Sequence, residues 1–246
     1  MSKNIIVFYL EYIFNKCIEG GVFPTSFKTT EVVPIYKSGT KTECKNYRPI
    51  SLLSPFAKLF ESHLYTELDK YFTENNTIYK RQYGFQKNFS TEIALSSYCD
   101  LIAKEMDNNK ITCSVFLDLA KAFNTVDPDI PISKLHTYGI RELSLDLITS
   151  YLKDRQQFTR TKNTKSTSRS IRLGVHQGSS LGPLFFIIYI NDLPLSTNLD
   201  VRLYADDASL TFSHQNHLAL QTTMNSELSK VSEWLYYKLL LIISYI

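Results

Sequence analysis

Two carboxylates stand side by side in "RLYADDASL", residues 202–210, inside an otherwise apolar segment. Ionised carboxylates taken out of water without partners are costly, so chains pair such charges or keep them at the surface. Around Asp206 and Asp207 the pattern alternates. Val201 and Leu203 are interleaved with Arg202 and Tyr204, and Leu210 and Phe212 with Ser209 and Thr211. That predicts two half-buried strands with the acids at the tip of a tight hairpin, where Asp is an ordinary turn residue. The alternative is a divalent cation held against the pair, which calls for a third acid. Asp118 supplies one, at the end of the most apolar strand of the chain, "SVFLD". A strand end fixes a side chain on a rigid element while leaving it at an open edge. If the two elements are neighbours in one sheet, the three carboxylates converge and repel one another unless cations are present. Magnesium suits such oxygen ligands and completes its shell with waters and substrate phosphates. Two such ions can activate an attacking hydroxyl and stabilise a leaving phosphate, in polymerases and in nucleases alike.

The elements that must position these acids are legible in outline. The 246 residues are 43% hydrophobic, enough for a real core, and the net charge of +3 does not by itself imply a nucleic-acid partner. Cys17, Cys44, Cys99 and Cys113 are scattered, which argues against a zinc finger or a disulfide framework and for a reducing intracellular compartment. No apolar run approaches the ~20 residues of a membrane span. "NIIVFYLEYIF" is interrupted by Glu11 and no small-residue cleavage site follows, so no secretion signal is read. A helix is expected over residues 5–19, ending at Gly20-Gly21, then two extended segments around a Ser-Gly turn, with Pro34 marking an edge strand. Ser54-Pro55 opens a helix with Phe56, Leu59, Phe60, Leu64, Leu68 and Tyr71 on one face. A second helix begins near Ser90 and carries Ile93, Tyr98, Leu101, Ile102 and Met106. Short helices follow the Asp118 strand at about 131–138 and 144–152, and "WLYYKLLLIISYI" is expected to be an amphipathic helix or strand cut off in mid-element, with a membrane anchor as the second reading. "KDRQQFTRTKNTKSTSRSIRL" reads as a basic hairpin with seven positive charges against Asp154 alone between Lys153 and Arg172. A solvated ribbon and a nucleic-acid contact explain it equally well. Helices interleaved with antiparallel, non-adjacent strands make the fold class α+β.

"SVFLDLAKAFNTVD", "GVHQGSSLGPLFFIIYINDLP" and "LYADD", in that order, resemble the polymerase motifs of reverse transcriptases. "NYRPISLLSPFAKLFE" and "QYGFQKNFSTEIAL" narrow the resemblance to the non-LTR retrotransposon type, LINE-like and jockey-like, over about residues 27 to 235. The resemblance implies fingers and palm, with an antiparallel palm sheet backed by helices and no thumb. Residues 1–26 would be an N-terminal helical extension, about 27–110 the fingers, and about 111–246 the palm with an insertion. It implies that Asp118, Asp206 and Asp207 hold two Mg2+ ions, with Mn2+ as a substitute, and that Phe123 is the aromatic gate against a 2′-hydroxyl. Gln177 and Gly178 would lie against the incoming nucleotide, and Arg48, with Lys37 as a second candidate, would grip its triphosphate. An exposed edge-strand lysine is the plainer account of Lys37. The basic hairpin then gains weight as a template or primer contact through Arg155, Arg160, Lys162, Lys165, Arg169 and Arg172. His176 stands where the family more often has proline and is assigned no chemistry; His214 and His217 read as surface residues.

The implied activity is RNA-directed DNA polymerisation, adding deoxynucleotides to a primer 3′-hydroxyl on an RNA template, inside the cell in nucleus or cytoplasm and without a membrane. Some features depart from the family pattern. Asn124 replaces the Asp that usually follows the gate aromatic. The family pattern would continue into a Lys-Thr pair and a thumb after the last residues, and the expectation is a chain without these and without an endonuclease region or a zinc knuckle. A truncated copy is expected, with impaired synthesis. The alternative is a catalytically inactive relic that at most binds nucleic acid. A different metal phosphotransferase or nuclease would leave Phe123 and the Gln177 loop without a role.

Overall fold

The computed structural model describes the chain except for Met1, Lys121, Lys162, Asn163, Leu239 and Ile246, so the expected contact at Lys162 lies outside the described residues. In chain order the elements begin with α1 (Ser2–Glu19), β1 (Thr29–Tyr36), β2 (Tyr47–Leu52), α2 (Pro55–Glu74) and α3 (Thr91–Asp107). There follow β3 (Ile111–Ala120), α4 (Ala122–Thr125), α5 (Asp129–Thr137), α6 (Glu142–Leu152), β4 (Arg155–Thr161), β5 (Thr164–Lys165) and β6 (Arg169–Ile171). The last are α7 (Gly182–Ile190), β7 (Asp200–Tyr204), β8 (Asp207–His214), α8 (His217–Tyr237) and β9 (Leu241–Tyr245). Mixed sheets with interleaved helices make the fold α+β, as expected. Helix starts follow local chemistry. The Ser54 hydroxyl accepts from Ala57 N at 3.1 Å, and Pro55 has no N–H to leave orphaned. Ser90 caps α3 by accepting from Ile93 N, and Asn216 caps α8 by accepting from Ala219 N. At the end of α1, Gly21 adopts φ +62°.

The chain forms two compact units, Met1–Lys70 with Asp127–Phe185, and Tyr71–Val126 with Phe186–Ile246. In the first, the sheet order is β2-β1-β4-β5, with β6 also on β4. β1 is antiparallel to β2 but parallel to β4, from Thr29 opposite Gln156 to Val32 opposite Thr159. The expectation of antiparallel strands alone therefore needs correcting. The basic hairpin is real, with β4 antiparallel to β5 and β6, yet it is an extension of the β1–β2 sheet. An aromatic core backs that unit: Phe23 stacks on Phe60 at 5.5 Å and meets Tyr151 edge-on at 5.0 Å, and Phe14 stacks on Phe60 at 4.5 Å. The buried residues of α2 are Ala57, Phe60, Glu61, Leu64 and Phe72; Phe56 and Leu59 are 48% and 54% exposed. The expected face was rotated because it followed side-chain size and passed over a small Ala and a buried acid.

The second unit is built on an antiparallel sheet in the order β7-β8-β3-β9. α8 packs on β3 and β8, and α3 on β3 and β7. Leu117, Leu119, Val201, Leu203 and Leu210 of the sheet are buried with Leu220, Met224, Val231 and Leu235 of α8. β7 is not half-buried: Val201, Arg202 and Leu203 are all buried, and Arg202 pairs with Asp200 and donates to the Ser97 hydroxyl of α3. The apolar face expected on α3 is not enclosed. None of its residues is fully buried, and Met106 is 65% exposed. Among the described residues no helix is long and apolar enough to cross a membrane.

Candidate active site

Asp118 sits in β3 directly opposite Asp207 of β8. Residues paired this way in an antiparallel ladder project to the same face, with Cβ atoms about 4.5–5.5 Å apart. Asp206 belongs to the two-residue connection, Ala205-Asp206, between Tyr204 and Asp207, themselves paired across β7 and β8. The sheet therefore makes neighbours of the two elements that carry the acids. Partial burial raises the pKa of Asp206, opposed by a bond from its own backbone N–H and reinforced by the charge of Asp118. Asp207 is raised by desolvation, then by Asp206, then by Asp118. Among the described residues no three His, Cys, Asp or Glu side chains are already gathered into a group that could hold a metal ion. The donor chemistry nonetheless fits a hard divalent cation: the facing groups are all carboxylate, their charges oppose one another, and one or two carboxylates suffice for Mg2+. Asp118 and Asp207 are exposed and Asp206 half-buried, so solvent and a substrate can reach them. A pocket of about 510 Å3 is lined by these same strands and α3, with Tyr83, Tyr98 and Phe116 beside Asp118 and Asp207.

Phe123 of α4 is stacked on Phe186 at 4.9 Å and meets Phe85 edge-on at 5.9 Å. Two ring contacts hold it rigid while it remains partly exposed, and Asn124 beside it is exposed. Sequence reasoning missed the segment before Phe85. Leu203 N donates to Arg81 O at 2.9 Å and Tyr83 N to Leu203 O at 2.8 Å, so "RQYG" lies parallel along β7 and leads to the acid turn. The available signal was Gly84, whose lack of a side chain permits a close backbone approach.

Gln177 and Gly178 belong to the first unit, not to the antiparallel sheet of the acids as expected. Gln177 O accepts from Ser51 N of β2 at 2.8 Å. Gly178 has φ +104°, and a Cβ there would stand 3.0 Å from Ser51 O. The loop is pinned by Ser179, whose hydroxyl donates to His176 O and accepts from Gly182 N at 2.8 Å, and by Glu61, which accepts from Ser180 N at 3.0 Å. His176, given no chemistry from sequence, is a buried wedge between the hydroxyls of Ser51 (3.1 Å) and Thr30 (3.4 Å). Burial, helped by the Arg155 charge, pushes its pKa down to about 3.

Arg48 and Lys37 are both exposed at the connected end of the β1–β2 pair, with Arg48 opposite Ile35 and Lys37 N bonded to Asn46 O. Of the basic hairpin, Arg160, Lys165, Arg169 and Arg172 are exposed. Arg160 pairs with Glu31 at 3.2 Å, and the Lys165 ammonium lies 4.0 Å over the Phe158 ring. Arg155 must be withdrawn from the nucleic-acid set. It is only 2% exposed, its guanidinium lies 4.4 Å over the Tyr151 ring, and it acts electrostatically on Glu61. It is the first residue of β4 and is buried there, while Gln156 and Gln157 after it are both exposed.

Residues 35–240 match the family described as reverse transcriptase (RNA-dependent DNA polymerase). The chain belongs to that family. Among its relatives is the probable RNA-directed DNA polymerase from transposon BS of Drosophila melanogaster, 32% identical over 222 residues, 84% of this chain and 24% of the relative. The RNA-directed DNA polymerase from mobile element jockey of the same organism is 28% identical over 92% of this chain and 26% of its own length. The affinity is thus with polymerases of non-LTR elements, and this chain spans about a quarter of their length. Apo telomerase from Candida tropicalis is similar in fold, with a TM-score of 0.67 at 12% identity over 98% of this chain and 49% of that one.

Proposed function

We propose that this reverse transcriptase chain adds deoxynucleotides to a primer 3′-hydroxyl, directed by an RNA template. The observation that carries the reading is the pairing of Asp118 with Asp207 across β3 and β8, with Asp206 in the adjoining turn, in a chain that matches the family over residues 35–240. In this reading the Tyr71–Val126 and Phe186–Ile246 unit is the palm and the other unit the fingers, in place of the bounds of about 27–110 for fingers and 111–246 for palm expected from the sequence. Asp118, Asp206 and Asp207 would hold divalent cations, magnesium by their all-oxygen chemistry. Bound there, such ions lower the pKa of the attacking hydroxyl and stabilise charge on the leaving phosphate. The protein's own part is positional. The β3–β8 ladder fixes the carboxylates on one face, and Phe123, clamped between Phe85 and Phe186, presents a flat wall that excludes a 2′-hydroxyl without a polar partner. Gln177 and Gly178 offer a loop against the nucleotide whose shape is set by Ser179 and Glu61. Arg48, with Lys37 second, grips triphosphate oxygens through paired hydrogen bonds. Arg160, Lys165, Arg169 and Arg172 supply sequence-independent contacts to template or primer backbone.

Primer extension on an RNA template with Mg2+ and deoxynucleotides tests the reading, beside an Asp206→Ala, Asp207→Ala control. Extension by the natural chain and not by the control is expected. A folded chain that extends nothing, while still retaining RNA, would instead support a nucleic-acid-binding relic.

A further inference from the structure

The Ala205-Asp206 turn is held from outside the sheet by one side chain. Where residues 81–83 run along β7, Gln82 turns inward and is 1% exposed. Its Oε1 accepts from Ala205 N at 3.1 Å and from Gly84 N at 2.9 Å. Ala205 is itself buried and adopts φ +57°, a left-handed conformation that costs a non-glycine residue about 1–2 kcal/mol. Its N–H lies outside the β7–β8 ladder, so without Gln82 a buried donor would be orphaned next to Asp206. Gly84 closes the same contact. A Cβ at residue 84 would stand 2.1 Å from Ala205 N and 2.8 Å from Ala205 Cα.

We propose that Gln82 is a positioning residue for the acid pair: its carboxamide oxygen holds the Ala205 amide, and with it the left-handed turn that aims Asp206 and Asp207 toward Asp118. The inference rests on the reading of the three acids as a cation site. The oxygen does this alone. The amide nitrogen of Gln82 is buried with no hydrogen-bond partner among the described residues, so only the acceptor end is used. A Gln retained merely as buried filler would gain nothing from having its oxygen shared by the two amides that flank the turn's approach.

The test uses the full chain and two readouts that need no polymerase activity. The first is amide hydrogen exchange in the metal-free protein. Gln82→Met, which keeps the length and removes the acceptor, should speed exchange at Ala205 about tenfold, the worth of one hydrogen bond, while Leu210 in the ladder stays protected. Gln82→Glu, which keeps an oxygen at the same reach, should retain slow exchange. The second readout is Mn2+ affinity, followed by the electron-spin-resonance signal of the free ion. Gln82→Met should bind Mn2+ about 10–100-fold more weakly than the natural chain, as outer-shell losses do, and Asp206→Asn more weakly still. Unchanged exchange at Ala205, or a folded Gln82→Met that binds Mn2+ like the natural chain, would overturn the role of Gln82 alone. A natural chain that binds no more Mn2+ than Asp206→Asn would overturn the cation site itself, and the role of Gln82 with it.

Discussion

The two units secure their polar loops in opposite ways. In the first, the Gln177 loop rests on buried ionisable groups: Glu61 is fully buried, Arg155 and His176 nearly so, and burial raises the pKa of Glu61 against the pull of Arg155. In the second, Asp118 and Asp207 are exposed, Asp206 is half-buried, and the turn beneath them is held by a neutral carboxamide and by backbone. Charge used to build structure is enclosed, with Arg155 over the Tyr151 ring and Glu61 accepting from Ser180 N. The carboxylates of the second unit lie on the two inner strands of its sheet, Asp118 paired with Asp207 on one side and Ser244 on the other, on a face where they remain accessible and repel one another. The difference separates removing an acid that costs stability from removing one that costs function.

The largest expected effect lies on the functional side. Asp118→Asn should lower primer extension by about a thousandfold or more, on the scale of losing a central charge-stabilising group. The same variant should leave the melting temperature unchanged or slightly raised, because it removes repulsion; a large drop in stability would erase the contrast between the units. Arg155→Met should do the reverse. It removes the positive charge that acts on buried Glu61 together with the cation-π contact on Tyr151, and should cost roughly 2 kcal/mol in denaturant unfolding. Adding Glu61→Gln should recover much of that loss, and a double variant no better than the single would show that the pair does not act as a pair.

A pH series sharpens the same point. The ordinary histidine value is 6.5, and folding lowers that of His176 to about 3, so the unfolded chain takes up a proton that the native chain refuses. Stability is full above pH 6.5 and should fall as the pH drops toward 3, by roughly 1.4 kcal/mol per unit once below 6.5. Glu227, held near 2 by Lys230 and by donors from Asn198 and Thr197, loses its contribution only below its ordinary 4.5. Glu61, whose pKa burial raises, contributes with the opposite sign as the pH falls, so the histidine is read from the difference: urea titrations between pH 6.5 and 5 should be flatter for His176→Gln than for the natural chain. The smallest effect is expected at the exposed basic hairpin. Replacing Arg160, Lys165 and Arg169 by Ala should change stability by under about 1 kcal/mol each. Each charge lost should reduce the salt dependence of single-stranded RNA binding by about 0.7 in log–log slope if it contacts phosphate.

Much of this comparison was legible in the residues. Ser54 and Ser90 announced their helices because capping is local, and the acid hairpin was readable from alternation around Asp206 and Asp207. What could not be read was long-range. The parallel pairing of β1 with β4 joins residues more than a hundred positions apart, and it carries the basic hairpin into the first unit. Arg155, just before that pairing begins, is buried over the Tyr151 ring, whereas the basic hairpin read from the sequence counts it among the nucleic-acid contacts. The α2 stripe was misjudged because Ala57 and Glu61 are core residues by partnership, with Ser180 N on the glutamate, and not by hydrophobicity. Gln82 escaped for the same reason: nothing in "RQYG" reveals that its amide will meet Ala205 across 123 positions of sequence.

The central claim is that Asp118 and the Asp206-Asp207 turn form one cation site on the sheet of the second unit. Crystals soaked in Mn2+ and measured for anomalous scattering test it most directly. The account predicts an anomalous peak within coordinating distance of the Asp118 and Asp206 carboxylates, absent from crystals of Asp118→Asn. Saturating Mn2+ with no peak at those carboxylates, or with peaks only at other acidic side chains, would contradict it.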